Sequence, residues 1–92
     1  MDEYILDLTP FEEKYSLHAY LKETLNFPFY YGANLDALHD ELTSHTDPMK
    51  ITLRYSSAPK GKMVEYLPRL LQVFQDATQE NYHLTVEYEQ VD

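Results

Sequence analysis

The chain has 92 residues, seven basic against sixteen acidic, for a formal charge of −9, and no cysteine. That length holds one hydrophobic core and leaves no room for a second domain. The charge repels nucleic-acid phosphates and anionic membrane surfaces, and the lack of thiols excludes disulfides and thiolate zinc sites. With 43% hydrophobic residues, nine tyrosines and four phenylalanines among the aromatics, there is enough apolar surface to offset the entropy of ordering, so residues 1–92 are expected to form one globular domain.

Tyr4-Ile5-Leu6-Asp7-Leu8 is short, apolar and β-prone, with Pro10 just beyond, and predicts a first strand. Ser16 is the candidate N-cap of a first helix, in which Leu17, Tyr20, Leu21, Thr24 and Leu25 recur at helical spacing with polar His18, Lys22 and Glu23 between them. Pro28 cannot continue that helix and restrains Phe27, so Asn26 to Ala33 is an aromatic loop. Gly32, one of two glycines, marks either a turn needing positive φ or a place where a partner's backbone comes close.

Asn34 suits the N-cap of a second helix carrying Leu35, Leu38 and Leu42 on one side and ending between Ser44 and Asp47. Ile51, Leu53 and Tyr55 alternate with Thr52 and Arg54, the period of a half-buried strand. After a loop over Ser56 to Lys62, the positions of Leu67, Leu70, Leu71, Phe74 and Ala77 predict a third helix, with Pro68 in its first turn and Asn81 just past its end. His83 to Tyr88 alternates again as a last strand. Strands joined by helical crossovers imply an α/β class: a small domain with a three-stranded parallel sheet, in the order β-α-α-β-α-β. The clean alternation places the helices mainly on one face.

At about 100° per residue, Asp36, Asp40 and Thr43 fall together on a face of the second helix beside the leucines, with His39 on the border. Carboxylates at i and i+4 repel, so this face is locally unfavourable unless a cation meets it. Solvated surface acids, with Asp36 also favoured near the helix N-terminus, are the plainer account of the same residues. Phe29, Tyr30 and Tyr31 cannot all face the core if the chain turns tightly at Gly32. An exposed tyrosine beside an acidic helix has the composition of a binding hot spot, whereas three aromatics sealing the helix ends would be structural only.

The run Tyr30-Tyr31-Gly32-Ala33-Asn34-Leu35-Asp36-Ala37-Leu38-His39-Asp40-Glu41-Leu42-Thr43 closely resembles the signature loop and helix of the barstar family. Leu17-His18, Leu21-Lys22, Pro28 and Leu71-Gln72-Val73-Phe74 are similar to that family too, in order along nearly the whole chain. The resemblance implies a barstar-like parallel fold and a bacterial antitoxin role: a cytoplasmic inhibitor, monomeric when free, that covers the active site of a small basic ribonuclease in a 1:1 complex. By that resemblance Asp40 would occupy the site of the substrate phosphate and Asp36 would pair with a second basic group. Tyr30 would pack against the enzyme's catalytic histidine, Gly32, Asn34, Leu35 and Thr43 would fit the contact surface, and Asp76 would meet an arginine at the rim. The chain departs from the family pattern at His39 and His45, where tryptophans are usual, and is one residue shorter before Pro48, so these two histidines belong to the expected interface with altered contacts.

Two other functions fit parts of the sequence. An acidic immunity or regulatory module for a different basic protein would use the same face. A metal-dependent enzyme would need Asp36, His39 and Asp40 as ligands, but one helix supplies only these three, and His18 and His83 lie elsewhere. No nucleophile motif or glycine-rich phosphate loop is present. No cofactor or metal is therefore expected. Acidic residues where a secretory leader would be basic, and the absence of an apolar run near the about 20 residues of a membrane span, give the cytoplasm as the expected compartment and no membrane partner.

Overall fold

A computed structural model describes residues 2–91. The elements run β1 (Asp2–Asp7), α1 (Lys14–Thr24), α2 (Leu35–Ser44), β2 (Met49–Tyr55), α3 (Met63–Glu80) and β3 (Leu84–Gln90). The strands form one parallel sheet in the order β1-β2-β3, with β2 central. The expected β-α-α-β-α-β order and α/β class hold.

Period-two alternation decides which face of the sheet is covered. On one face Leu6, Ile51, Leu53, Met49 and Leu84 are buried and join Leu17, Leu21, Leu38, Leu42, Leu70 and Phe74 from the helices in one core. On the other face Ile5 is 65% exposed, and Lys50–Glu87 at 3.3 Å and Arg54–Glu89 at 3.4 Å pair across β2 and β3. All three helices contribute to the covered side, as the alternation predicts.

The helix ends correct two expectations, and the backbone at Gly32 removes one of its two readings. The N-cap of α1 is Glu13, not Ser16: the longer carboxylate reaches back to accept from the amides of Tyr15 (2.7 Å) and Ser16 (2.8 Å), leaving Ser16 inside the first turn. Pro68 is the sixth residue of α3, because that helix begins at Met63, four residues before Leu67. Pro68 and Val64, four residues apart, are both exposed, so the carbonyl that Pro68 cannot serve lies on the wet side. Gly32 does not have positive φ. The left-handed residues are Asn26 (φ 57°), Ala33 (φ 53°) and Gly61 (φ 60°). Asn26 closes α1 in a Schellman pattern, with the Phe27 amide donating to Lys22 O at 2.9 Å.

Asn81 follows α3 as expected and does more than end it. It is buried, and its Nδ2 donates to Leu42 O (2.9 Å) and to His45 O (2.8 Å), so one amide closes the C-terminal end of α2 against that of α3. Its Oδ1 accepts from the His83 amide at 3.0 Å and starts the turn into β3. Asn81→Ala leaves two carbonyls without this donor, and urea titration should show a loss of about 1–3 kcal/mol. A cost below about 0.5 kcal/mol would mean that water replaces the amide.

Candidate interaction surface

The surface starts from the loop between α1 and α2. Its backbone folds because Pro28 O accepts from the Tyr31 amide at 3.0 Å and Lys22 Nζ donates to Phe29 O at 3.2 Å. Asn34 then caps α2: its Oδ1 accepts from the Ala37 amide at 2.7 Å, while its Nδ2 donates to Gly32 O at 3.2 Å. Gly32 is a glycine for lack of space. A Cβ there would lie 3.2 Å from Ala37 Cβ and 3.2 Å from Asn34 Nδ2, pressing on the cap itself.

The three aromatics divide as the crowding argument requires. Tyr31 is 9% exposed and faces the core, whereas Phe29 (88%) and Tyr30 (73%) project into solvent, their rings edge to face at 5.5 Å between centroids. Tyr31 is held by His18, which is fully buried on α1 rather than displayed as a polar position between leucines. His18 Nδ1 lies 2.7 Å from the Tyr31 hydroxyl and Nε2 lies 2.6 Å from the Tyr66 hydroxyl of α3. A neutral imidazole has one N–H donor and one acceptor nitrogen, and each hydroxyl can take either role, so both ring atoms are satisfied. The loop is thereby fastened to two helices. The spacing of His18 from Leu21 and Leu25, at i+3 and i+7, is the signal that marks it as inward-facing.

Past the cap, Leu38 and Leu42 are buried and Leu35 is half-buried, which turns Asp36 and Asp40 outward. Neither carboxylate has a hydrogen-bond or ion-pair partner among the described residues. His39 is half-buried, and its Nε2 meets the carboxylate of Glu80 on α3. Thr43 Oγ1 donates to His39 O at 2.8 Å, so its hydroxyl serves the helix. Asp76, one turn before Glu80 on α3, is exposed and accepts from Gln72 Nε2 at 2.8 Å.

Tyr30, Gly32, Asn34, Leu35, Asp36 and Asp40 thus follow one another along the loop and the outward side of α2, which His39 links to α3 through Glu80. His45 stands apart. It is the C-cap of α2 and lines a cavity of about 350 Å³ together with Tyr4, Phe27, Glu41 and Asp47. Glu80 adjoins the surface although sequence reasoning passed over it, and Phe29, weighed there only as one of three aromatics that cannot all face inward, is exposed beside Tyr30. Glu80 is i+4 from Asp76 on the same helical face, which was a usable signal, and the exposure of Phe29 follows only from the inward turn of Tyr31. Asp36, His39 and Asp40 do not converge as metal ligands: among the described residues no three His, Cys, Asp or Glu side chains are gathered for an ion.

Burial holds the His18 pKa below its ordinary value of 6.5, with the charge of Lys14 adding to the effect. The unfolded chain takes up the proton first, so the stability contributed by neutral His18 is complete above about pH 6.5 and is lost as pH falls from there toward the folded-state pKa. Denaturant titrations between about pH 7.5 and 5.5 should show wild type losing stability more steeply than His18→Gln, which starts lower but lacks this titration. Parallel curves would show that His18 carries no such linkage. Tyr31→Phe should cost about 1–2 kcal/mol at neutral pH by leaving one imidazole nitrogen without its partner.

Among the described residues no helix is long and apolar enough to cross a membrane. Comparison with known proteins places this chain in a family. A model described as Barstar (barnase inhibitor) matches residues 1–90. The chain is also 40% identical over 81 residues to a protein named "Putative ribonuclease inhibitor YrdF" from Bacillus subtilis (strain 168), an alignment covering 87% of this chain and 89% of the relative. The β-α-α-β-α-β order, the capped loop and helix over residues 30–43 and a match along almost the whole length agree, and the chain belongs to the barstar family.

Proposed function

We propose that this protein inhibits a small basic ribonuclease by laying the loop and α2, from Tyr30 to Thr43, over the enzyme's active site in a 1:1 complex. The observation that carries the reading is the pair Asp36 and Asp40, two outward carboxylates one helical turn apart with no cation of their own among the described residues. A ribonuclease must present cations to the phosphate of its substrate. A carboxylate held on a rigid helix satisfies those cations without offering a bond to cleave. Family membership and the name of the relative support the same assignment.

The roles divide by position. Asp40 sits in the middle of α2 and takes the place of the phosphate, while Asp36, in the first turn, meets a second basic group. Phe29 and Tyr30 supply the apolar contact that excludes water around the charge pairs, the arrangement in which aromatic and charged groups dominate an interface. Gly32, Asn34, Leu35 and Thr43 shape the contact surface. Asp76 and Glu80 extend the negative potential along α3, with Asp76 at the rim. His39 is held partly by Glu80, so the enzyme meets an imidazole–carboxylate pair where the family usually presents a large aromatic. His45, lining a separate cavity, stands at the edge of the contact. The chain acts as a cytoplasmic monomer until it meets its enzyme.

The test is an inhibition assay against small basic ribonucleases from the source organism, with Asp40→Ala beside wild type. The variant should lose about 2 kcal/mol or more of binding, roughly thirty-fold in Kd. The wild-type association rate should fall as salt is raised from about 0.01 to 0.5 M, because encounter is steered by charge. Capture of a basic protein that is not a ribonuclease, or indifference of binding to Asp40, would transfer the same surface to an immunity or regulatory role.

A further inference from the structure

Outside that surface, the distribution of positive charge is uneven. Of the seven basic side chains, Lys50 and Arg54 are in ion pairs and Lys22 donates to Phe29 O. Lys14, Lys60, Lys62 and Arg69 have no ion-pair or hydrogen-bonded side-chain partner among the described residues, in a chain with sixteen acids to choose from. Three of these four, Lys14, Lys62 and Arg69, line one open groove of about 700 Å³, and Tyr15 and Tyr66 form apolar parts of its wall. The volume lies within the range of small-molecule sites. With Glu13 and Glu65 in the same lining, the three cations still leave this groove net positive in a strongly acidic protein.

The walls are fixed. The Lys62 amide donates to Glu12 O at 3.0 Å, tying the loop before α3 to the segment before α1. Gly61 makes that approach possible: it has φ 60°, and a Cβ there would stand 2.9 Å from the same carbonyl oxygen. Glu13 and Glu65 also line the groove, but the Glu13 carboxylate is already committed to the amides of Tyr15 and Ser16. Tyr15 is 74% exposed and carries Lys14 Nζ 5.8 Å from its ring centroid on one face, so the other face is left to stack on a flat group.

We infer that this groove binds a small phosphate-bearing ligand with a planar ring, a nucleoside monophosphate by chemical class, with Lys14, Lys62 and Arg69 on the phosphate and Tyr15 against the ring. Two carboxylates in the lining and the net charge of −9 exclude a long polyanion far more strongly than a dianion, so the occupant is a free nucleotide and not a nucleic-acid strand. Stacking on an exposed aromatic supplies the second contact that a phosphate alone lacks. This inference is independent of the inhibitory surface, since neither Asp36 nor Asp40 touches the groove.

Amide-resolved NMR titration of the full chain with adenosine monophosphate, inorganic phosphate and adenosine tests it. Expected are saturable shifts at residues 13–15 and 61–69 with adenosine monophosphate, at least ten-fold weaker binding of phosphate or adenosine alone, and at least a ten-fold loss in Arg69→Gln and Lys62→Gln. The same spectra report whether the variants are folded, and Tyr15→Ala should reduce adenosine monophosphate binding to the level of phosphate. No saturable shift up to about 10 mM, shifts confined to another surface, equal binding of phosphate and nucleotide, or Gln variants that bind like wild type would each overturn the assignment. Ribonuclease inhibition by the Arg69→Gln variant should remain at wild-type level, so failure of the groove and failure of the inhibitor reading give different results.

Discussion

The contact on which the presentation of the surface depends is a buried imidazole between two phenols. His18 joins α1 to the loop through Tyr31 and to α3 through Tyr66; His18 and Tyr31 are buried and Tyr66 is half-buried. Removing water from three polar groups is costly unless each finds its partner, so the three side chains are satisfied together or fail together. Because Tyr31 is drawn inward, Tyr30 and Phe29 must point outward, and the chain arrives at Asn34 in position to cap α2. Burial pushes the Tyr31 hydroxyl well above the usual phenol range, which keeps it a neutral hydrogen-bonding group at any physiological pH.

The acidic face is what this anchoring supports. Asp36 and Asp40 repel each other, and α2 has no basic residue in its last turn to soften the field. An isolated helix of ten residues with that pattern would be marginal. It persists because Leu38 and Leu42 are buried, Asn34 caps the start, and Asn81 holds the end. Local instability in α2 is thus carried by packing elsewhere, a pattern expected where a surface is shaped for a partner.

Much of this was legible in the order of residues. Alternation in 51–55 and 83–88 located two strands and the covered face, because parallel pairing against helices on one side leaves period two visible. Asn34 and the Asp36–Asp40 spacing are local facts, readable without any tertiary knowledge. What escaped depends on residues far apart. The second partner of His18 is Tyr66, 48 positions away, which no local pattern names even though helical spacing marks the inward face. Glu80 matters only once α3 lies beside α2. Ser16 was a reasonable cap by residue type, but the longer Glu13 reaches the same amides from outside. The left-handed turn fell on Ala33 rather than Gly32 because the glycine was needed for clearance against the cap. The cationic groove joins residues 13–15 to 61–69, which no window along the chain contains.

The closing amide at Asn81 has a consequence for biosynthesis. Residues 30–43, which display the carboxylates, are made before the donor that secures the end of their helix and the phenol that fixes their loop, which come from α3 and the residue after it. The central strand also waits for β3, since β2 pairs on both sides. A nascent chain, or one cut short before residue 81, therefore exposes an acidic segment without the architecture that presents it. The Leu42 carbonyl waits 39 residues for its donor, so the acidic segment is fully presented only once the chain has been made through residue 81.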